Sequence, residues 1–128
     1  MVAWTEYKHT AKERGALALE LYVVESTPAK RPEDVKDSLT SHLEYQRDLE
    51  MRGALVLAGP LSDATGEIMA GAGLIVYRAS SMDDAAELAQ NDPMHRSGAR
   101  SYTLRKWLGN EGSISTTVGL STGLATLV

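Results

Sequence analysis

Apolar residues recur at helical spacing between residues 33 and 52. Val35, Leu39, Leu43 and Leu49 mark one stripe, and His42 projects from the same side. The pattern predicts one helix from Glu33 to Arg52. Pro32 followed by Glu33 and Asp34 is a suitable start, because proline fits a first turn and acids favour the positive dipole end. Gly53 closes the helix. Upstream, Ala16 to Glu25 alternate as a strand, with Leu17, Leu19, Leu21 and Val23 on one face and Glu20 and Tyr22 on the other. Residues 4–14 predict a short polar helix or an arm, and Ser26 to Arg31 a loop.

Downstream, Leu55 to Ala58 reads as a short strand ending at Gly59-Pro60, Ser62 to Gly71 as a loop, and Gly73 to Ala79 as a third strand. Ser80-Ser81 with Asp83-Asp84 predict an N-cap and an acidic first turn. That second helix runs to about Gln90 and stops before Pro93. Ser101 to Leu108 is a fourth strand, with Tyr102, Leu104 and Leu108 on one face and Thr103, Arg105 and Trp107 on the other.

The order β-α-β-β-α-β is the ferredoxin-like split unit, an antiparallel sheet with two helices on one face. Its other face is then apolar and uncovered along Leu17–Val23 and Tyr102–Leu108, which predicts a homodimer. The expectation is one domain over residues 1–128, with a core at about 16–109, an N-terminal arm at 1–15 and a C-terminal tail at 110–128. Residues 112–128 carry no side-chain charge. A frayed tail is the plain reading, but Val118, Leu120, Leu124, Leu127 and Val128 favour packing on a neighbouring subunit.

Composition narrows the function classes. The chain has 128 residues, 13 basic against 17 acidic, and a net charge of −4, which gives no footprint for nucleic acid. It has no cysteine, so thiolate chemistry, disulfides and cysteine metal sites are excluded. No signal-peptide core or membrane-length apolar run occurs, so cytoplasmic residence is expected. His9, His42 and His95 do not fall in a metal-binding motif, and no phosphate loop or nucleophile elbow is present, so neither metal nor cofactor is expected.

His42 is the focus of the chemistry. An imidazole facing a core or cleft needs partners, and it suits proton transfer near neutral pH. From position alone, a structural histidine bonded to a carbonyl or an acid outranks a catalytic one. Asp92, in Asn91-Asp92-Pro93, is either a helix stop or a carboxylate that orients an imidazole. The split fold brings His42 and Asp92 to one end of the sheet. Gly59 and Pro60 either end a strand or let a ligand approach the backbone. Arg78, Arg96 and Arg100 read as solvated edge residues before anion binders.

The run His42-Leu43-Glu44-Tyr45, Leu49 and Gly53, Ala58-Gly59-Pro60-Leu61, Gly66 and Gly71, Asp92-Pro93-Met94 and Gly98 resembles the YCII-related (YciI-like) family over about residues 17–108. The resemblance implies a ferredoxin-like, dimeric α+β barrel. It implies that His42 and Asp92 are the candidate catalytic pair and that Gly59 and Pro60 line the cleft. Met94 and His95 complete the candidate substrate-binding set, and His95 is a candidate second proton carrier. The family is related in fold to muconolactone isomerases, and some members look like cofactor-free dehydrochlorinases of chlorinated hydroxyquinols. Short members often carry Arg-Pro just ahead of the histidine. Here Thr40-Ser41 stand there, so no arginine role at the pair is carried over.

Two readings follow. In the first, a His42–Asp92 dyad abstracts a proton from a small aromatic or lactone metabolite, and elimination or isomerisation follows, as in a lyase or isomerase. In the second, the chain is a non-catalytic metabolite-binding or accessory module, and His42 and Asp92 are a structural pair.

Overall fold

The computed structural model describes residues 1–127. Val128, counted above with the apolar tail, lies outside the described residues. The chain divides into two units, one of Glu20–Trp107 and one joining Met1–Leu19 to the residues from Leu108 onward. In chain order the elements begin α1 (Trp4–Glu13), β1 (Leu19–Pro28), α2 (Pro32–Asp37), α3 (Leu39–Met51), β2 (Leu55–Ser62) and β3 (Met69–Tyr77). They continue α4 (Met82–Asn91), α5 (Pro93–Arg96), β4 (Arg100–Gly109), β5 (Thr116–Val118) and β6 (Ala125–Leu127).

The main sheet is antiparallel, with strand order β2-β3-β1-β4. This is the ferredoxin-like order that the alternating elements predict. Tyr22 pairs with Tyr77, Val24 with Ile75 and Ser26 with Gly73, so these residues share a face. On β2, Leu55 lies opposite Tyr77, Ala58 opposite Ile75 and Pro60 opposite Gly73. The face carries the core, in which Tyr22, Val24, Ile75 and Tyr77 meet Leu49 of α3 and Ala85 and Ala89 of α4.

Four features differ from the sequence pattern. The predicted single helix is two, broken at Ser38. The Ser38 N–H bonds the Val35 carbonyl in a tight closing turn, and the Ser38 carbonyl then accepts from His42 N–H to begin α3. Serine suits such a break because its hydroxyl competes for local partners, and here the Ser38 and Ser97 hydroxyls lie 3.3 Å apart. The buried stripe of α3 is also rotated. Gln46 and Leu49 are buried, whereas Leu39 and Leu43 are 43% and 46% exposed.

β2 does not stop at Gly59-Pro60 but continues to Ser62. Pro60 is tolerated because β2 is an edge strand, where a missing N–H leaves no neighbour unpaired. Finally, Tyr102 and Leu104 pack on the helix-side core rather than on the opposite face of the sheet. Tyr22, which the alternation set beside Glu20, and Tyr77 supply large apolar bodies to that core. Leu21 and Val23 do lie opposite the helices, in alternation with Tyr22 and Val24.

In the smaller unit, α1 is a helix, and the tail is not frayed throughout: β5 and β6 pair antiparallel as a hairpin. Among the described residues no helix is long and apolar enough to cross a membrane.

Candidate active site

The site forms at the end of the sheet where the side chains become small. Leu49 sits in the core with Tyr77 and Leu55. His42 lies two turns earlier on α3, roughly 10 Å along the axis. The short turn Arg52–Ala54 reverses the chain, so α3 runs back along β2 toward the row Pro60, Gly73 and Ser26. Gly73 adds no side chain, and a Cβ there would stand 3.2 Å from the Gly59 carbonyl oxygen. Ala58 and Pro60, on the same face, are exposed. The helix-side face of the edge strand is therefore accessible to solvent at Ala58 and Pro60.

His42 Nδ1 lies 2.9 and 2.8 Å from the two carboxylate oxygens of Asp92. Asp92 is fully buried, and the His42 side chain is 19% exposed. The local sequence builds this carboxylate. Pro93 holds Asp92 extended (φ −61°, ψ 124°), which ends α4 and lets Asp92 cap α5 by accepting from Met94 N–H at 3.0 Å. An ionised carboxylate only accepts, so the imidazole proton sits on Nδ1. Nε2 is left as the basic nitrogen, with no partner among the described residues.

A second cluster stands next to this pair. His95 is buried, with Nδ1 2.8 Å from the Ala89 carbonyl and Nε2 2.8 Å from Ser26 Oγ. The carbonyl fixes the proton on Nδ1, so Nε2 accepts from the Ser26 hydroxyl. Burial pushes the His95 pKa below its ordinary value; the Ala89 bond and Asp92 oppose that, and His42 and Arg100 add to it. Its ring lies 4.5 Å from that of Tyr102. Arg100 Nε donates to Ser26 Oγ at 2.9 Å, and Nη2 donates to the carbonyls of Ser26, at 2.9 Å, and of Gly71.

His42 and Asp92 are thus in direct contact. Met94 and His95 are buried in α5, and Met94 contributes its backbone N–H to Asp92. Pro60 lies on the helix-side face, in the row of Gly73 and Ser26. Gly59 pairs with Leu74 on the opposite face. Ser26 was missed as a site residue, and Arg100, read first as a solvated edge residue and second as an anion binder, is half-buried instead; each sits just beyond the predicted end of its strand. Carrying the alternation one residue further puts Ser26 with Val24, and Arg100 with Tyr102. Gln46, one turn after His42 on the same helix face, is buried with neither amide atom partnered among the described residues. An open groove of about 340 Å³ between α3 and α4, lined by Arg52, Asp84, Glu87 and Asn91, includes neither His42 nor Asp92. Among the described residues no three histidines or carboxylates gather as a metal-ligand set.

The strand order, with the helices on one face of an antiparallel sheet, defines a ferredoxin-like α+β protein. The family model described as YCII-related domain matches residues 18–108. The chain belongs to that family. The uncharacterized protein YjpA of Bacillus subtilis (strain 168) is 33% identical over 72 residues, which covers 56% of this chain and 78% of YjpA. Among solved structures, 5-chloro-2-hydroxyhydroquinone dehydrochlorinase (TftG) from Burkholderia phenoliruptrix AC1100, in complex with 2,5-dihydroxybenzoquinone, shares the fold. Its TM-score is 0.53 at 21% identity, over 68% of this chain and 92% of TftG.

Proposed function

We propose that this chain is a small-molecule enzyme in which His42, oriented by Asp92, abstracts a proton from an aromatic or lactone metabolite without a cofactor. The observation that carries the reading is the contact of His42 Nδ1 with both carboxylate oxygens of Asp92, from which the tautomer follows. With Nδ1–H bound to a fully buried carboxylate, Nε2 is a neutral base on a partly exposed side chain. The imidazolium formed by proton transfer is stabilised by the same carboxylate.

The chemistry closes without an oxidant or reductant. Nε2 takes a proton from an O–H or C–H conjugated with a carbonyl or aromatic ring. For a chlorinated hydroxyquinol, one hydroxyl proton first moves to the chlorine-bearing carbon as that hydroxyl becomes a carbonyl; when Nε2 takes a second hydroxyl proton, its electron pair forms the other carbonyl, the ring π bond shifts toward the chlorine-bearing carbon and chloride leaves with its bonding pair, for net loss of HCl. In an isomerisation the proton returns at a different carbon. The fold shared with a dehydrochlorinase supports elimination as the first reaction to assay.

The test is His42→Gln, which nearly keeps volume and hydrogen bonding but not the base. Chloride release from 5-chloro-2-hydroxyhydroquinone and isomerisation of muconolactones are followed together with thermal unfolding. We expect turnover to fall by roughly 10²–10⁴-fold at unchanged stability, the usual share of a positioned base. Undiminished turnover in a folded His42→Gln protein overturns the reading. Ligand-induced stabilisation with no turnover in the unmodified protein favours a binding module instead.

A further inference from the structure

We propose that Arg100 holds an anionic oxygen of the substrate, so that the site selects aromatic or enolic oxyanions over neutral molecules of the same shape. This rests on the proton-transfer reading above and specifies what the site accepts.

The guanidinium is built into the sheet floor. Arg100 stands on the helix-side face of β4, in alternation with Tyr102 and Leu104. Its side chain reaches over Ser26 of β1 to the Gly71 carbonyl of β3. Three of its five N–H groups are thereby used, while the two on Nη1 have no partner among the described residues. No carboxylate is within ion-pair distance of it among the described residues, yet the side chain is half-buried. A guanidinium does not give up its proton in a protein. The low-dielectric floor therefore holds a positive charge that lacks a counter-ion, and a bound oxyanion supplies one. Burial draws the Arg100 pKa below its ordinary value, and only Asp92 opposes this.

The neighbours hold that charge in place. Ser26 is pinned because its hydroxyl donates to His95 and accepts from Arg100 Nε. Gly71 has φ +101°, and a Cβ there would stand 3.0 Å from Pro28 Cγ, so the carbonyl that receives Nη2 is fixed by a backbone only glycine adopts easily. The guanidinium plane is thus set before any ligand arrives, which is what a preorganised oxyanion site requires. Ser26 links Arg100 to His95, and His95 N–H bonds the Asp92 carbonyl, so the His42–Asp92 pair and the guanidinium share one end of the sheet. As His42 withdraws a proton, charge develops on the conjugated oxygen, and Nη1 is the donor available to receive it.

The probe is 4-nitrophenol, whose phenolate absorbs in the visible and whose ionisation can be followed while it is bound. In the unmodified protein the bound phenol should ionise roughly one to three pH units below the free compound, as for an acid beside a fixed cation. In Arg100→Gln that depression should vanish, and in His42→Gln it should persist. Three results overturn the proposal: no binding at millimolar 4-nitrophenol, a depression that survives in folded Arg100→Gln, or one lost in His42→Gln. Should Arg100→Gln not fold, 4-nitroanisole decides on the unmodified protein. Above the ionisation pH it should bind at least about tenfold more weakly than the phenolate, a difference of roughly 1.4 kcal/mol, and equal affinities overturn the proposal. Because 4-nitrophenol does not react, failure of the proton-transfer reading leaves these results intact. Failure of the anion proposal leaves His42-dependent turnover intact.

Discussion

His95 is kept neutral by its surroundings. Both ring nitrogens are engaged, one by a carbonyl and one by a serine hydroxyl, and burial disfavours the imidazolium. The folded-state pKa is depressed below the ordinary 6.5, so below that pH the unfolded chain binds more protons at this residue than the folded one. The contribution to stability is complete above pH 6.5 and is lost as pH falls toward the depressed value. Thermal unfolding between pH 7 and about pH 5 should show a steeper loss for the unmodified protein than for His95→Gln, after allowing for the carboxylates common to both. Equal slopes would mean that His95 ionises as easily folded as unfolded. At this scale the dyad was legible, since helical spacing marks His42 and the Asp-Pro step marks Asp92. Ser26 was not, and Arg100 was ranked first as a solvated edge residue, because strand ends are set by neighbouring strands that a local pattern does not contain. Ala29 N–H bonds the Ala99 carbonyl, and this contact between two distant segments extends the pairing beyond the predicted boundaries.

At the scale of elements, the joint between α4 and α5 organises the site. Asp92 terminates one helix, caps the next and binds an imidazole on a third. Asp92→Ala removes all three functions at once and leaves the His42 N–H and the Met94 N–H without their acceptor. A fully buried group of this kind should cost roughly 1–3 kcal/mol for the unpaired donors, with a further contribution near 1 kcal/mol from the lost cap. Urea titration should therefore show a lower midpoint at an unchanged slope. A midpoint within error of the unmodified protein would show that water or another side chain replaces the carboxylate. The split of the predicted long helix into α2 and α3 belongs to this scale too. Periodicity from Val35 to Leu49 continues across Ser38, so hydrophobic spacing gives no sign of the break. The break turns the buried stripe toward His42, Tyr45, Gln46 and Leu49 and leaves Leu39 and Leu43 facing outward.

For the whole molecule, the question is what covers the sheet face opposite the helices. The strand alternation already indicated such a face, but it named the wrong residues on β4. There the outward side chains are Thr103, Arg105 and Trp107, and the apolar contribution comes from the other strands. Leu57 lies opposite Val76, and Val23 opposite the same residue, so these three share the outer face. At the centre of that face Leu21 and Val76 are already buried within the chain, but on the two flanking strands Leu57 is 72% exposed and Trp107 53%, apolar surface that favours a further partner. We propose that this face meets its counterpart on a second copy, in a two-fold symmetric homodimer. Light scattering should give a dimer at micromolar concentration, and the Trp107 emission should shift to the red on dilution as the ring becomes solvated. Leu57→Glu places a charge on that face of an edge strand without entering the helix-side core. It should convert the protein to a monomer while its far-ultraviolet circular dichroism is retained. A dimer that survives Leu57→Glu, or an unmodified protein that is already monomeric, would show that the outer face is not the interface.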